Sequence, residues 1–241
     1  MLMYGWMKFV ELAPGRYDWA VRLMTGGRID NIKDSIAGEV KPGDRVLDIG
    51  CGTGTLAARC LTKGAHVVGL DSSEYMLKQA ERHAVANGGQ ERLTLIHDSV
   101  TQLRKHFDDN SFDIVTSTMA LGEFPRDYLD YILRDCQRIL RPGGRLLIAD
   151  EVWPESRVPR FLYAIGLGVL WIPQFLLLRR ALFPIRDLAG TIVTAGFSVR
   201  SIVTWRASSF QLVFADKAQF EKTEQACSEE NAPPVDSSLA G

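Results

Sequence analysis

Cysteine and histidine are scarce in this chain, and neither falls into a pattern that chemistry requires. The four cysteines, at 51, 60, 136 and 226, never approach CxxC spacing, which removes the usual zinc and redox signatures. A disulfide framework belongs to short secreted chains without large cores, so reduced thiols are expected. The four histidines, at 66, 83, 97 and 106, show no ligand spacing; they read as surface or strand-end residues, and no metal site is expected. Charge of one sign is missing too. With 28 Lys+Arg against 29 Asp+Glu the net charge is −1, and without a basic patch of useful size no nucleic acid partner is expected. The N-terminal apolar stretch is interrupted by Lys8 and Glu11 and has no basic region before it. It does not read as a secretory signal, and a cytoplasmic setting is expected.

What is present is an ordinary globular composition, 46% hydrophobic over 241 residues, enough for one large domain or two small ones with a core. Between residues 45 and 150, strand-length apolar runs alternate with amphipathic stretches: RVLDIG, HVVGLD, LTLIHD, FDIVTST and RLLIAD. That is the pattern of βα units feeding a parallel sheet. A helix is predicted within 183–196, followed by an antiparallel pair, FSVRSIVTWRA and SSFQLVFADK. The expected organisation is an N-terminal helical cap over 1–42 and a main domain over 43–216. That domain carries an apolar lid at 153–185 and a C-terminal strand pair at 197–216. Residues 217–241 are polar and Pro/Ser-rich, an expected disordered tail.

The strongest local signal is VLDIGCGTG at 46–54. A buried strand runs into Gly50, Gly52 and Gly54 and then a helix, so the backbone can turn tightly and admit a ligand close to the main chain. A dinucleotide fingerprint would need a third glycine where Thr55 stands, which weakens a nicotinamide reading and with it an oxidoreductase. Asp71 closes the second strand 21 residues after Gly50, where an acid can accept hydrogen bonds from a ribose diol. Alone, Asp71 would read as a helix cap; loop and acid together read as a nucleoside site.

VLDIGCGTG, VVGLDSSEYM, LIHDSV, FDIVTSTMAL and RILRPGGRLLIAD, in this order, resemble the class I S-adenosylmethionine-dependent methyltransferases over about 43–152. Within that superfamily the wording is similar to the ubiquinone/menaquinone-biosynthesis branch. APGRYDWAVRLMTGGRID and the C-terminal segment order more particularly resemble corrinoid-protein-associated methyltransferases. The resemblance implies a doubly wound, Rossmann-like α/β sheet of seven strands, mostly parallel with one antiparallel strand. It also implies S-adenosylmethionine as donor and S-adenosylhomocysteine as product.

Residue roles follow from the same resemblance. Gly50, Cys51, Gly52 and Gly54 would form the loop around the methionine part, with Asp48 beneath holding its backbone near the amino group. Asp71 would take the ribose hydroxyls, and Ser72 and Met76 would border the adenine, although Met76 also fits plain core. Asp98, Ser99 and Val100 would meet the exocyclic amine, and Thr118 and Met119 would pass the sulfonium.

Methyl transfer from a sulfonium is an in-line displacement that demands alignment and exclusion of water, and no metal. A base is needed only if the acceptor loses a proton; candidates by position are Glu123, Tyr17, Asp150 and Glu151. Each has a plainer reading, as helix-start charge, packing residue or loop acid. TSTMALGEF lacks an NPPY-like clamp, which argues against amide and nucleobase amino acceptors. Residues 161–178 run eighteen positions without a formal charge between arginine pairs. They read as a lid over a small apolar or lipid-like acceptor, or as a peripheral membrane or partner surface. A span there would tear the sheet from its last strands. The alternative to an enzyme is a fold partner that docks on or services a corrinoid protein.

Overall fold

A computed structural model of the chain describes residues 17–25, 27–153, 185–204 and 210–218. Helices α1 (Tyr17–Met24) and α2 (Arg28–Gly38) precede the sheet. Then come β1 (Arg45–Ile49), α3 (Thr55–Thr62), β2 (His66–Asp71), α4 (Glu74–Ala86), β3 (Leu93–His97), the short α5 (Leu103–His106) and β4 (Phe112–Thr118). The chain continues through α6 (Arg126–Ile139), β5 (Leu140–Glu151), α7 (Leu188–Thr194), β6 (Phe197–Thr204) and β7 (Phe210–Lys217).

The seven strands form one sheet in the order β3-β2-β1-β4-β5-β7-β6. Pairs from β3 across to β5 are parallel, whereas β7 is antiparallel to both β5 and β6. The expected sheet with one inserted antiparallel strand is the observed one. Alternate residues of each strand face opposite sides. Val46, Ile114, Leu147 and Leu212 join the core beneath α2 and α3, while Leu47, Val115, Leu146 and Val213 join the core beneath α6 and α7. Helices on both faces explain why the central strands read as continuous apolar runs rather than alternating ones.

Two boundaries differ from the expectation. β5 begins at Leu140, because RPGG is carried inside the strand as an irregularity: pairing with β4 jumps from Phe112–Leu140 to Ile114–Arg145. The helix predicted within 183–196 runs only over Leu188–Thr194, started by Asp187, whose side chain accepts from the Gly190 N–H at 2.8 Å. Residues 1–16 and 26 of the cap, most of the lid (154–184, including 161–178), WRASS of the strand pair (205–209) and the tail from 219 lie outside the described residues. The ends of the lid segment are themselves joined. Val152 bridges Ile185, and the Trp153 N–H donates to the Ile185 carbonyl at 2.9 Å. Among the described residues no helix is long and apolar enough to cross a membrane.

In an open α/β sheet the ligand crevice lies outside the carboxyl ends of the strands where strand order reverses. Here the reversal falls between β1 and β4, since β1 continues to β2 on one side and pairs with β4 on the other. Ser117 ties the two together across that boundary, its Oγ donating to the Ile49 carbonyl at 3.0 Å.

Candidate functional site

A cavity of about 350 Å³ opens at that reversal, within the range of small-molecule sites. β1 and its turn contribute Ile49, Gly50 and Gly52; β2 and the start of α4 contribute Leu70 to Ser73 and Met76. The turn after β3 adds Asp98, Ser99 and Val100, and the turn after β4 adds Thr118 to Ala120, Glu123 and Phe124. Tyr17 reaches it from α1.

The glycines divide by role. All three have positive φ, at 64°, 54° and 73° for Gly50, Gly52 and Gly54. A Cβ on Gly50 would stand 2.3 Å from the Ala120 Cβ, and one on Gly54 2.6 Å from the Ala80 Cβ, whereas one on Gly52 would meet nothing within 4 Å. Gly54 therefore serves the packing of α3 against α4, away from the cavity. Cys51 also points away from the cavity, its buried Sγ filling the space beside Gly69.

Asp71, not Asp48, holds the loop. The Gly52 N–H donates to Asp71 Oδ2 at 2.8 Å and the Ser73 N–H to Oδ1 at 2.9 Å. The cap of α4 is Ser73, whose Oγ accepts from the Met76 N–H, so Asp71 is not a helix cap. A carboxylate has about four acceptor positions, which leaves Asp71 one on each oxygen. Two free acceptors side by side match a vicinal diol.

Asp48 is buried at 1% exposure, and among the described residues neither of its carboxylate oxygens has a hydrogen-bond partner. Burial pushes its carboxyl up to about 7, with the Lys33 ammonium opposing and the Asp71 charge adding to the rise. Lys33 is itself lowered by burial, against the pull of Asp18 and Asp48. In the unfolded chain Asp48 ionises near 3.8, so its folded pKa is the higher one and the proton is held more tightly by the fold. Stability is therefore lost as pH rises between about 4 and 7, by at most about 4 kcal/mol. Asp48→Asn is expected to flatten that slope and raise the stability of the ligand-free protein at pH 8, checked by urea unfolding across pH. An unchanged slope in the variant would show that Asp48 is not its source.

The N-terminal helices grip the glycine loop. The Thr53 hydroxyl donates to Asp18 Oδ1 at 2.6 Å, Lys33 Nζ donates to the Thr55 hydroxyl, and Arg59 pairs with Asp30 and Asp34. His83 Nδ1 meets the Thr53 carbonyl at 2.7 Å. Tyr17 is thereby carried to the cavity by a helix anchored to the loop itself.

Of the four candidate bases, Tyr17 and Glu123 line the cavity; Asp150 and Glu151 do not. Asp150 Oδ2 accepts from the N–H groups of Leu121 and Gly122 at 2.9 and 3.1 Å, and Oδ1 from that of Glu151 at 2.7 Å. Burial pushes the Asp150 carboxyl up to about 7 against those three donors. Its role is to fix the turn that presents Glu123 and Phe124. The same turn begins at Met119, a non-glycine residue at φ 59°, a sparsely populated conformation of the kind found at functional sites. Ile49, Leu70, Ser73, Ala120 and Phe124 line the cavity without having been singled out in the sequence.

The residues present fit S-adenosylmethionine. The loop wall carries no side chains at Gly50 and Gly52, Asp71 has acceptors for a diol, and Leu70, Met76 and Val100 offer apolar faces for a flat base. Asp98 stands beyond them as a further acceptor.

Residues 46–144 match the family described as "Methyltransferase domain". The demethylmenaquinone methyltransferase of Clavibacter sepedonicus is 42% identical over 120 residues, 49% of this chain and 45% of its own length. That of Bacillus subtilis is 38% identical over 130 residues, 52% and 54% of the two chains. The chain thus carries a methyltransferase domain over residues 46–144. Its similarity is to the ubiquinone/menaquinone-like methyltransferases, and it spans about half the length of the curated relatives just named. The [4+2]-cyclase SpnF shares the fold with a TM-score of 0.62 at 19% identity, over 78% of this chain and 80% of its own. The relatives lend no support to the corrinoid-associated reading or to a membrane contact. Similarity to class I methyltransferases implies S-adenosylmethionine as methyl donor.

Proposed function

We propose that this methyltransferase moves a methyl group from S-adenosylmethionine to a small apolar ring acceptor of the quinol type. The observation that carries the reading is a single cavity joining the Gly50–Asp71 nucleoside end to an end walled by Tyr17, Glu123 and Phe124. Two aromatic side chains suit a flat apolar ring, and the relatives' name supplies the chemical class, a quinone lacking a methyl group.

When bound, the donor supplies an electrophilic methyl group on a sulfonium. Gly50 and Gly52 admit it against the backbone, and Asp71 fixes its ribose. Thr118, Met119 and Ala120, set by the strained turn and the Met119 N–H bond to the Ala149 carbonyl at 2.8 Å, border the place where the two substrates meet. Tyr17 and Phe124 orient the acceptor ring and keep water from it. The bound donor would give its methyl carbon to the acceptor atom, with the electron pair of the broken carbon–sulfur bond left on sulfur. The acceptor's proton leaves to Glu123, the base that Asp150 holds in place through the turn.

General-base catalysis contributes about 10²–10⁴-fold, so Glu123→Gln is expected to lower kcat roughly 100-fold while leaving S-adenosylhomocysteine affinity unchanged. An unchanged kcat would remove Glu123 as the base. The reading as a whole is tested by incubating the protein with S-adenosylmethionine and a demethylated naphthoquinol, then following methylated product and S-adenosylhomocysteine by mass spectrometry. Formation of both in equal amounts is expected. Binding of the donor with no product from any quinol would overturn the acceptor class.

A further inference from the structure

The adenine end of the cavity contains a side-chain cluster that methyl transfer does not explain. Asp98 lines the cavity just past β3. Its Oδ2 receives Lys105 Nζ and His106 Nε2, each at 2.8 Å, and its Oδ1 receives the Ser99 N–H at 2.8 Å. Three of about four acceptor positions are thus filled from within the chain, and the last lies on Oδ1.

We infer that Lys105 and His106, with His106 dominant, are positioning residues that lock Asp98 as an acceptor-only wall, so that the cavity selects a purine with an exocyclic amine over its 6-oxo counterpart. This rests on the S-adenosyl nucleoside reading of the cavity.

An ionised carboxylate only accepts, so His106 must donate from Nε2, which fixes its tautomer. Hydrogen bonds from Lys105, His106 and the Ser99 backbone hold the Asp98 carboxyl well below the usual carboxylate range. With two donors converging on Oδ2, the group cannot rotate to present that oxygen or take up a proton to become a donor. A ligand N–H meets the remaining Oδ1 position favourably. A ligand carbonyl meets a negative acceptor with no donor to offer. A polar site that rejects a mismatched ligand by leaving groups unpaired discriminates far more strongly than an apolar one.

The two partners are not equal. The Lys105 side chain is 66% exposed and that of His106 21%, and an exposed pair is screened and weak. His106 is also held by packing. Its ring lies 6.0 Å from that of Phe107, which meets Phe112 edge-on at 5.0 Å, and α5 is pinned by the fully buried Leu103. Lys105 has no such support.

The test is calorimetric titration of the full chain with S-adenosylhomocysteine and S-inosylhomocysteine, the 6-oxo analogue. Wild type is expected to prefer the amino form by roughly 100-fold, the loss expected when one polar contact enclosed by the bound ligand becomes repulsive. In His106→Leu the preference should shrink to about 10-fold, in Lys105→Met it should change by no more than about 3-fold, and His106→Gln, which keeps a donor, should retain most of it. Equal weakening of both nucleosides by His106→Leu, with the ratio unmoved, would overturn the inference while leaving the donor reading intact. So would a wild type that binds both equally. Binding of neither nucleoside by folded wild type would overturn the donor reading, and this inference with it.

Discussion

Asp71→Ala is expected to cut affinity for S-adenosylhomocysteine by roughly 10³-fold, about 4 kcal/mol, because three functions end together. The Gly52 N–H loses its acceptor at 2.8 Å and the Ser73 N–H its acceptor at 2.9 Å, each worth about 1–3 kcal/mol when left unpaired out of water. The ribose loses both remaining acceptor positions. The glycine loop, no longer tied to the end of β2, widens where the methionine arm would lie. Asp71→Asn keeps one acceptor oxygen and should fall between the two. Calorimetry at matched ionic strength checks the series, and an alanine variant that binds as tightly as wild type with its fold intact would remove the ribose assignment.

Gly50→Ala is expected to act on the fold as well as the ligand. At φ 64° an added Cβ lies 2.3 Å from that of Ala120, so either β1's turn or the turn after β4 must move. Left-handed backbone costs a non-glycine residue about 1–2 kcal/mol and overpacking about 1–3 kcal/mol. Together these predict a fall in Tm of about 5–15 °C for a chain of this size. Gly52→Ala is the informative contrast. Its Cβ would meet nothing within 4 Å because it projects into the cavity, so the strain alone should lower Tm by only a few degrees, about 2–4 °C per kcal/mol, while nucleoside binding is lost. Thermal unfolding and calorimetry on both variants separate the two roles. Equal Tm values would show that Ala120 yields freely and that the close approach does not matter.

Much of this architecture was legible because the central strands are buried on both faces and stop at polar residues. β2 and β4 begin and end where their apolar runs do, at His66–Asp71 and Phe112–Thr118. β5 was legible only in its second half, since Arg-Pro-Gly-Gly reads as a helix stop and a turn, and nothing local reveals that the strand resumes pairing through it. The cavity's glycines and acids could be found by spacing. Which acid holds the loop could not: Asp48 and Asp71 both sit at or near strand ends, and only the pairing of β1 with β2 decides that the Gly52 N–H reaches Asp71. Phe124 and Ala120 were hidden for the same reason, being placed by Asp150 from a neighbouring strand. His106, read as a surface residue, turns out to touch Asp98 because α5 folds back beneath the end of β3. The only local hint was a histidine eight residues past an acid, which has no helical or metal-site spacing to announce it.

The cavity at the β1–β4 reversal is built to take an S-adenosyl nucleoside. Its most direct test is parallel calorimetric titration of the purified protein with S-adenosylmethionine, S-adenosylhomocysteine and NAD. Micromolar binding of the two sulfur nucleosides is expected, and none of NAD, whose fingerprint glycine is replaced by Thr55 at the start of α3. Folded protein that binds NAD, or that binds neither sulfur nucleoside, would contradict it.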